Sequence, residues 1–373
     1  MFDPLWHVSL RDGAFPIIAG VIGVMAAGIL AVIITHRSRG HGHYSRTIAL
    51  LGGGVVILLS TAVGVNTVTG SFATIGSLVG KTVLPSLTLP ALTSGPSPSN
   101  WDAPSHLLPQ GHYGVVEIPA TASRFKHRED VVYLPPAALA PHPPKLPVLI
   151  MLSGQPGVPM NMVTSVDIPS ILDHYARAHR GLAPIVVIPD QLGAPYANPM
   201  CVDSPLGRSA TYLSVDVPAW IRSHLNVSAD RQDWAIGGYS QGGTCSIQLG
   251  SRFTATFGNI LDISGELAPH RGSVASTVKD AFGGSTAAYE AAKPLNLLAS
   301  HAPFADTLAI FAVGERDKRY RPIETTMREA AARAGMNTVE IVAPNSAHDW
   351  KTVGYAIDRA IAVLGQRWAF PWR

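Results

Sequence analysis

Charge is scarce in this sequence. Only 14% of its 373 residues are Asp, Glu, Lys or Arg, against about a quarter in ordinary soluble proteins, while 47% are hydrophobic and the mean hydropathy is positive. A water-facing surface needs charge, so the shortage points to segments whose solvent is not water. The net charge is only +3, and no long Lys/Arg tract interleaved with aromatics occurs, which argues against nucleic acid as a partner. The two cysteines, Cys201 and Cys245, have neither the number nor the spacing of a structural zinc site. His36, His41 and His43 belong to a short solvated loop and receive no ligand role. No metal or organic cofactor is expected.

What the sequence has instead is two long uncharged runs. Phe15 to Thr35 supplies 21 residues without a charge, enough at about 1.5 Å per residue to cross a hydrocarbon core of about 30 Å. Thr47 to Val68 is again long enough. A cleaved signal peptide accounts for one such run and not for its repetition. The stretch between them, His36 to Arg46, carries Arg37, Arg39 and Arg46, and this excess of arginine places it in the cytoplasm. The expectation is a two-pass membrane region over residues 1–80, with spans at about 15–35 and 47–68 and everything after Val68 outside the cytoplasm.

Residues 81–110 hold Pro85, Pro90, Pro96, Pro98, Pro104 and Pro109 among serines and threonines, a composition that predicts an extended tether. From residue 111 the pattern becomes short β-branched runs alternating with amphipathic stretches. Strands are predicted at Val115–Ile118, Val131–Leu134, Leu146–Leu152, Ile185–Ile188, Trp234–Gly238, Ile260–Ile263, Leu308–Val313 and Val339–Val342, and helices at Ile168–Ala178, Val215–Leu225, Gln241–Phe253 and from Asp349. Such alternation implies a mostly parallel sheet in an α/β domain over 111–373.

Gly238-Tyr239-Ser240-Gln241-Gly242 stands between a predicted strand and a predicted helix. A serine turning sharply off a strand end needs small neighbours, and the helix that follows aims N–H groups at developing negative charge. Ser240 is therefore the candidate nucleophile. Hydrolases of this architecture order their triad as serine, acid, histidine. Asp317, in Gly314-Glu315-Arg316-Asp317, is the expected acid, with Glu315 as local competitor. His348, in the loop after the last predicted strand, is the expected general base. The N–H of Gln241 and that of Gln155, in the loop Ser153-Gly154-Gln155-Pro156-Gly157, are the expected oxyanion donors.

With Ser-Gly-Gln after the early strand, Gly-Tyr-Ser-Gln-Gly-Gly at the elbow, Gly-Glu-Arg-Asp and His-Asp-Trp, residues 110–367 resemble the putative-esterase branch of the α/β-hydrolases. That branch includes esterase D-like enzymes, siderophore esterases and mycolyltransferases, so the resemblance implies ester chemistry with water or another alcohol as acceptor. By motif position it supports Ser240, Asp317, His348, Gln155 and Gln241. The mycolyltransferases differ in using a glutamate acid and in lacking a two-span anchor.

The sequence reading is thus a membrane-anchored serine esterase acting outside the cytoplasm on a carboxylic ester, with an envelope lipid or an aminoacyl lipid as candidate substrates. Acyl transfer to a sugar or lipid alcohol is the second enzymatic reading, and a non-catalytic envelope scaffold the third. In an oxidising exterior Cys201 and Cys245 are expected to pair. Asp203 either lines the substrate entrance or caps its own loop. The insertion from Glu266 to Asp306 either forms a partial cap or packs as ordinary helices.

Overall fold

The computed structural model of the chain describes residues 14–35, 43–69, 84–93 and 95–372. These divide after Val83 into two units. In the first, α1 (Ala14–Thr35) and α2 (His43–Thr69) pack on each other through small residues. A Cβ on Gly23 would collide with Ser60, and one on Gly53 with Leu30, so glycine permits the close approach. Apolar side chains point away from the pair, among them Ile17, Val24 and Met25 on α1 and Leu51, Leu58 and Leu59 on α2. Among the described residues no helix is long and apolar enough to cross a membrane, so the two predicted spans gain no support from them. The flanking segments that bear on orientation, residues 1–13, the loop 36–42 and residues 70–83, lie outside the described residues.

Among its described residues the second unit has ten strands: β1 (His112–Val116), β2 (Asp130–Leu134), β3 (Val148–Leu152), β4 (Ile185–Ile188), β5 (Asp203–Ser204), β6 (Gly207–Arg208), β7 (Trp234–Tyr239), β8 (Asn259–Ile263), β9 (Leu308–Gly314) and β10 (Asn337–Ala343). Eight of them form one sheet in the order β1-β2-β4-β3-β7-β8-β9-β10, while β5 and β6 make a separate hairpin. From β4 to β10 the neighbours run parallel, and β1 and β2 add an antiparallel edge. β2, β3, β4, β7, β8 and β9 are buried along their whole length. This is why they read as continuous apolar runs rather than alternating ones.

Helices cover the sheet with few surprises. Ile168–Ala178 is helical as expected, and Asp349 accepts from Thr352 N–H to cap the last helix, Trp350–Arg367. The predicted helix Val215–Leu225 is found over Val217–His224, entered through a π-turn, Tyr212–Asp216, that the spacing does not show. Two distant anchors hold that turn: Asp216 accepts from the N–H groups of Ala122 and Ser123, and Tyr212 donates to Asp130. Neither anchor can be seen in local spacing.

The proline-rich segment corrects a second expectation. Its described residues, 84–93 and 95–110, include one 3-10 turn, Pro98–Asn100, and belong to the second unit rather than forming a free tether. Leu87 N–H donates to Val115 O at 2.9 Å and Val115 N–H to Pro85 O at 3.0 Å, so the segment covers the outer edge of β1. Asn226 accepts from Thr93 N–H at 2.9 Å, and Trp101 is buried. Proline, lacking an N–H, is suited to such an edge and to ending further pairing there.

The 266–306 insertion folds as three short helices, Val274–Phe282, Thr286–Ala291 and Pro294–His301. Ala281 and Ala292 pack with Met200 and Val202, which brings the insertion against the loop after β4.

Candidate active site

Strand order dictates where chemistry can be assembled. β3 lies between β4 and β7, so the chain leaves β3 to one side and returns on the other, opening a crevice at the carboxyl ends of β3 and β7. Leu152 pairs with Gly238 in register, which sets the loop after β3 beside the residue after Tyr239.

Ser240 occupies that position with φ 57° and ψ −115°, a strained conformation for a residue with a side chain. Two glycines make it possible. A Cβ on Gly238 would strike the Gly242 backbone, and a Cβ on Gly242 would come within 2.5 Å of Ser153 O and 2.6 Å of Leu152 O. Ser240 N–H donates to Ile263 O at 2.8 Å, and Ser240 O accepts from Thr244 N–H at 3.0 Å, starting the helix Gln241–Arg252. The turn is thus bound on both sides, and the hydroxyl is left at the crevice.

Ser240 Oγ lies 3.1 Å from His348 Nε2, a hydrogen bond. His348 reaches it from the loop after β10, where Asp349 Oδ2 accepts from Ala347 N–H. Its other nitrogen, Nδ1, is 3.4 Å from Asp317 Oδ2, an ion-pair separation slightly too long for a hydrogen bond. Asp317 Oδ1 accepts from the N–H groups of Arg319 and Tyr320, so one carboxylate oxygen is fixed while the other faces the imidazole. Burial holds His348 below its ordinary pKa of 6.5, and the Asp317 charge opposes that shift. Glu315, the competitor, points elsewhere: its Oε2 accepts from Asn345 N–H at 2.8 Å.

Among the described residues the backbone N–H groups of Gln155 and Gln241 have no protein acceptor. One lies in the loop after β3 and the other in the first turn of the elbow helix. Asp203 stands apart from this group. Its carboxylate accepts from Thr211 N–H at 2.9 Å and from the Thr211 hydroxyl, and lies 3.7 Å from Arg208, so it is engaged in its own hairpin. Cys201 and Cys245 form a disulfide with Cα atoms 5.6 Å apart, joining the loop after β4 to the elbow helix.

Several contributors carry no local sequence signal. The Tyr320 ring stacks on His348 at 4.1 Å, and the Tyr239 ring lies tilted against it at 4.8 Å. Burial pushes the Tyr320 hydroxyl up to about 12, and it donates to Glu266 Oε1 at 3.2 Å. Glu266 also pairs with His270 at 2.7 Å. Tyr239 falls inside the elbow motif, but Tyr320 and Glu266 are brought in by topology alone.

A parallel sheet with a strained serine at its carboxyl edge, a histidine in contact and an acid behind it defines the class, a serine hydrolase of the α/β-hydrolase fold. The chain belongs to the family described as "Putative esterase", whose model matches residues 126–353, and is a carboxylic ester hydrolase. It is 31% identical over 297 residues to an uncharacterized protein of Corynebacterium glutamicum, covering 76% of this chain and 68% of that one. Among solved structures it is similar in fold to an S-formylglutathione hydrolase from Agrobacterium tumefaciens, with TM-score 0.57, 19% identity, and coverage of 70% of this chain and 97% of that one. A ferulic acid esterase gives TM-score 0.56, 17% identity, and coverage of 69% and 98%. A fluorophosphonate-binding serine hydrolase of Staphylococcus aureus gives TM-score 0.54, 17% identity, and coverage of 68% and 98%.

Proposed function

We propose that the protein is a membrane-anchored serine esterase that cleaves a carboxylic ester outside the cytoplasm through Ser240, His348 and Asp317. The observation that carries this reading is the 3.1 Å contact between Ser240 Oγ and His348 Nε2 at the strained elbow. His348 takes the Ser240 proton as Oγ attacks the ester carbonyl, and Asp317 stabilises the imidazolium so formed. The N–H groups of Gln155 and Gln241 receive the oxyanion. His348 returns the proton to the departing alcohol, leaving an acyl group on Ser240. Water repeats the sequence, its proton passing through His348 back to Ser240 as the acid is released.

The membrane placement rests on the two uncharged runs, on the outward apolar side chains of α1 and α2, and on the arginines between them. An anchored esterase meets esters at the lipid surface, which favours an envelope lipid or an aminoacyl lipid as substrate. The decisive experiment treats the full-length chain with a fluorophosphonate probe and a short acyl ester, with Ser240→Ala in parallel. Labelling and turnover confined to the wild type support the reading; identical behaviour of the two overturns it. Protease protection in intact cells tests the placement, which fails if the catalytic domain is cleaved only after lysis.

A further inference from the structure

Gln191 is fully buried and belongs to none of the motifs that define the elbow, yet its side chain touches both halves of the oxyanion site. It follows β4 and is held rigidly. The preceding Asp190 takes Arg128 in a two-pronged pair at 2.6 and 2.8 Å, and its carboxylate also accepts from Leu192 N–H at 3.1 Å and Gly193 N–H at 3.2 Å. Asp190 N–H in turn donates to Asp130 at 2.9 Å. The backbone on both sides of Gln191 is therefore pinned before its side chain makes any contact.

From that anchor Gln191 Nε2 donates to Ser153 O at 2.6 Å and to Gln241 Oε1 at 3.2 Å. The amide orientation follows from chemistry, since the reverse would set two carbonyl oxygens against each other at Ser153. Ser153 stands two residues before Gln155, and Gln241 carries the second candidate donor on its own backbone. With its Oε1 occupied by Gln191, Gln241 turns its Nε2 to Asn198 Oδ1 at 3.1 Å and toward Cys245 Sγ at 3.2 Å. One buried amide thus ties the main chain after β3 to the head of the elbow helix.

We infer that Gln191 is a positioning residue, setting the separation of the Gln155 and Gln241 N–H groups that receive the oxyanion. It touches neither substrate nor the reacting atoms. Its effect is to keep two donors, one in the loop after β3 and one at the head of the elbow helix, at the spacing a tetrahedral intermediate needs, which matters because oxyanion donors act only when they are preorganised. This inference rests on the esterase reading of the same site.

The test uses the full-length chain, p-nitrophenyl acetate as substrate and a trifluoromethyl ketone as a mimic of the tetrahedral adduct. Gln191→Met keeps the side-chain length and removes both donated bonds. It is expected to lower kcat by about 10- to 100-fold, with KM within about twofold and ketone affinity reduced by the same factor as kcat/KM. A merely structural residue would lower the melting temperature without that proportionality. If Gln191→Met does not fold, Gln241→Met, which keeps the 241 N–H and deletes the acceptor, carries the same expectation. A folded variant with unchanged kcat and ketone affinity overturns the inference. Ser240→Ala separates the two ideas: full activity in that variant removes the esterase reading, whereas its inactivity beside a fully active Gln191→Met removes the positioning role alone.

Discussion

Asp317 Oδ2 and His348 Nδ1 face each other across 3.4 Å, and neither atom has a hydrogen-bond partner among the described residues. Glu315, two residues earlier, spends its carboxylate on Asn345 N–H. The shared turn therefore assigns different work to two acids that look alike in sequence. Asp317→Asn is expected to lower kcat by about 10³- to 10⁴-fold, because the wrong imidazole tautomer and an unstabilised cation both follow from losing the charge. Glu315→Gln is expected to stay within about threefold. Steady-state kinetics of the two variants checks the assignment, and the reverse ranking would hand the role to Glu315.

The environment of His348 predicts the acidic limb of the pH profile. Burial lowers its pKa from 6.5 while Asp317 pulls it back up, so the neutral base persists into mildly acidic solution. The rise of kcat/KM with pH is expected to have its midpoint below 6.5. In Asp317→Asn, where the opposing charge is gone, the midpoint moves lower still. A wild-type midpoint above about 7 contradicts this account of the imidazole.

Under the elbow, Asp262 and Glu324 both approach Gly265, whose N–H donates to Glu324 Oε1 at 2.7 Å. Burial pushes Asp262 up to about 7 and Glu324 well above the usual carboxylate value. Folded carboxyls that hold protons more tightly than unfolded ones stabilise the fold fully below about pH 4, and that contribution is lost as pH rises through the folded pKa. Thermal midpoints are thus expected to fall between about pH 5 and 8. Glu324→Gln, which cannot ionise and keeps an acceptor for Gly265, should flatten the fall. Equal slopes for the two proteins would dismiss the pair as the cause.

The Cys201–Cys245 bond closes a loop of sequence separation 44 and ties the segment after β4, where Asn198 accepts from Gln241 Nε2, to the elbow helix. Replacing both cysteines with alanine is expected to cost about 2–4 kcal/mol of stability, since the unfolded chain regains the freedom the crosslink removed. Urea unfolding of the two proteins measures it. A loss below about 0.5 kcal/mol would mean that the packing of Met200 and Val202 on the insertion already holds the loop.

Much of the catalytic domain was legible in the sequence because its signals are local. Buried strands such as Ile185–Ile188 announce themselves as short apolar runs, and Ile168–Ala178 shows its helix by spacing. The elbow was legible for the same reason: a strained serine tolerates only small neighbours two positions away, so the constraint is written in consecutive residues. The segment 84–110 misled because proline content reports backbone stiffness and says nothing about the strand edge it binds. The turn at Tyr212–Asp216 was hidden because its anchors, Asp130, Ala122 and Ser123, are far away in the chain.

By itself the sequence determined the candidate nucleophile, the order of its candidate partners and the class of fold, since each depends on residue type at short range or on chain order. Only the tertiary structure decided that Asp317 rather than Glu315 faces His348, that Asp203 serves its own hairpin, that Cys201 reaches Cys245, and that Gln191 joins Ser153 to Gln241. Those relations depend on strand order and register, which bring residues separated by tens of positions to within 3.5 Å, a distance no local pattern encodes.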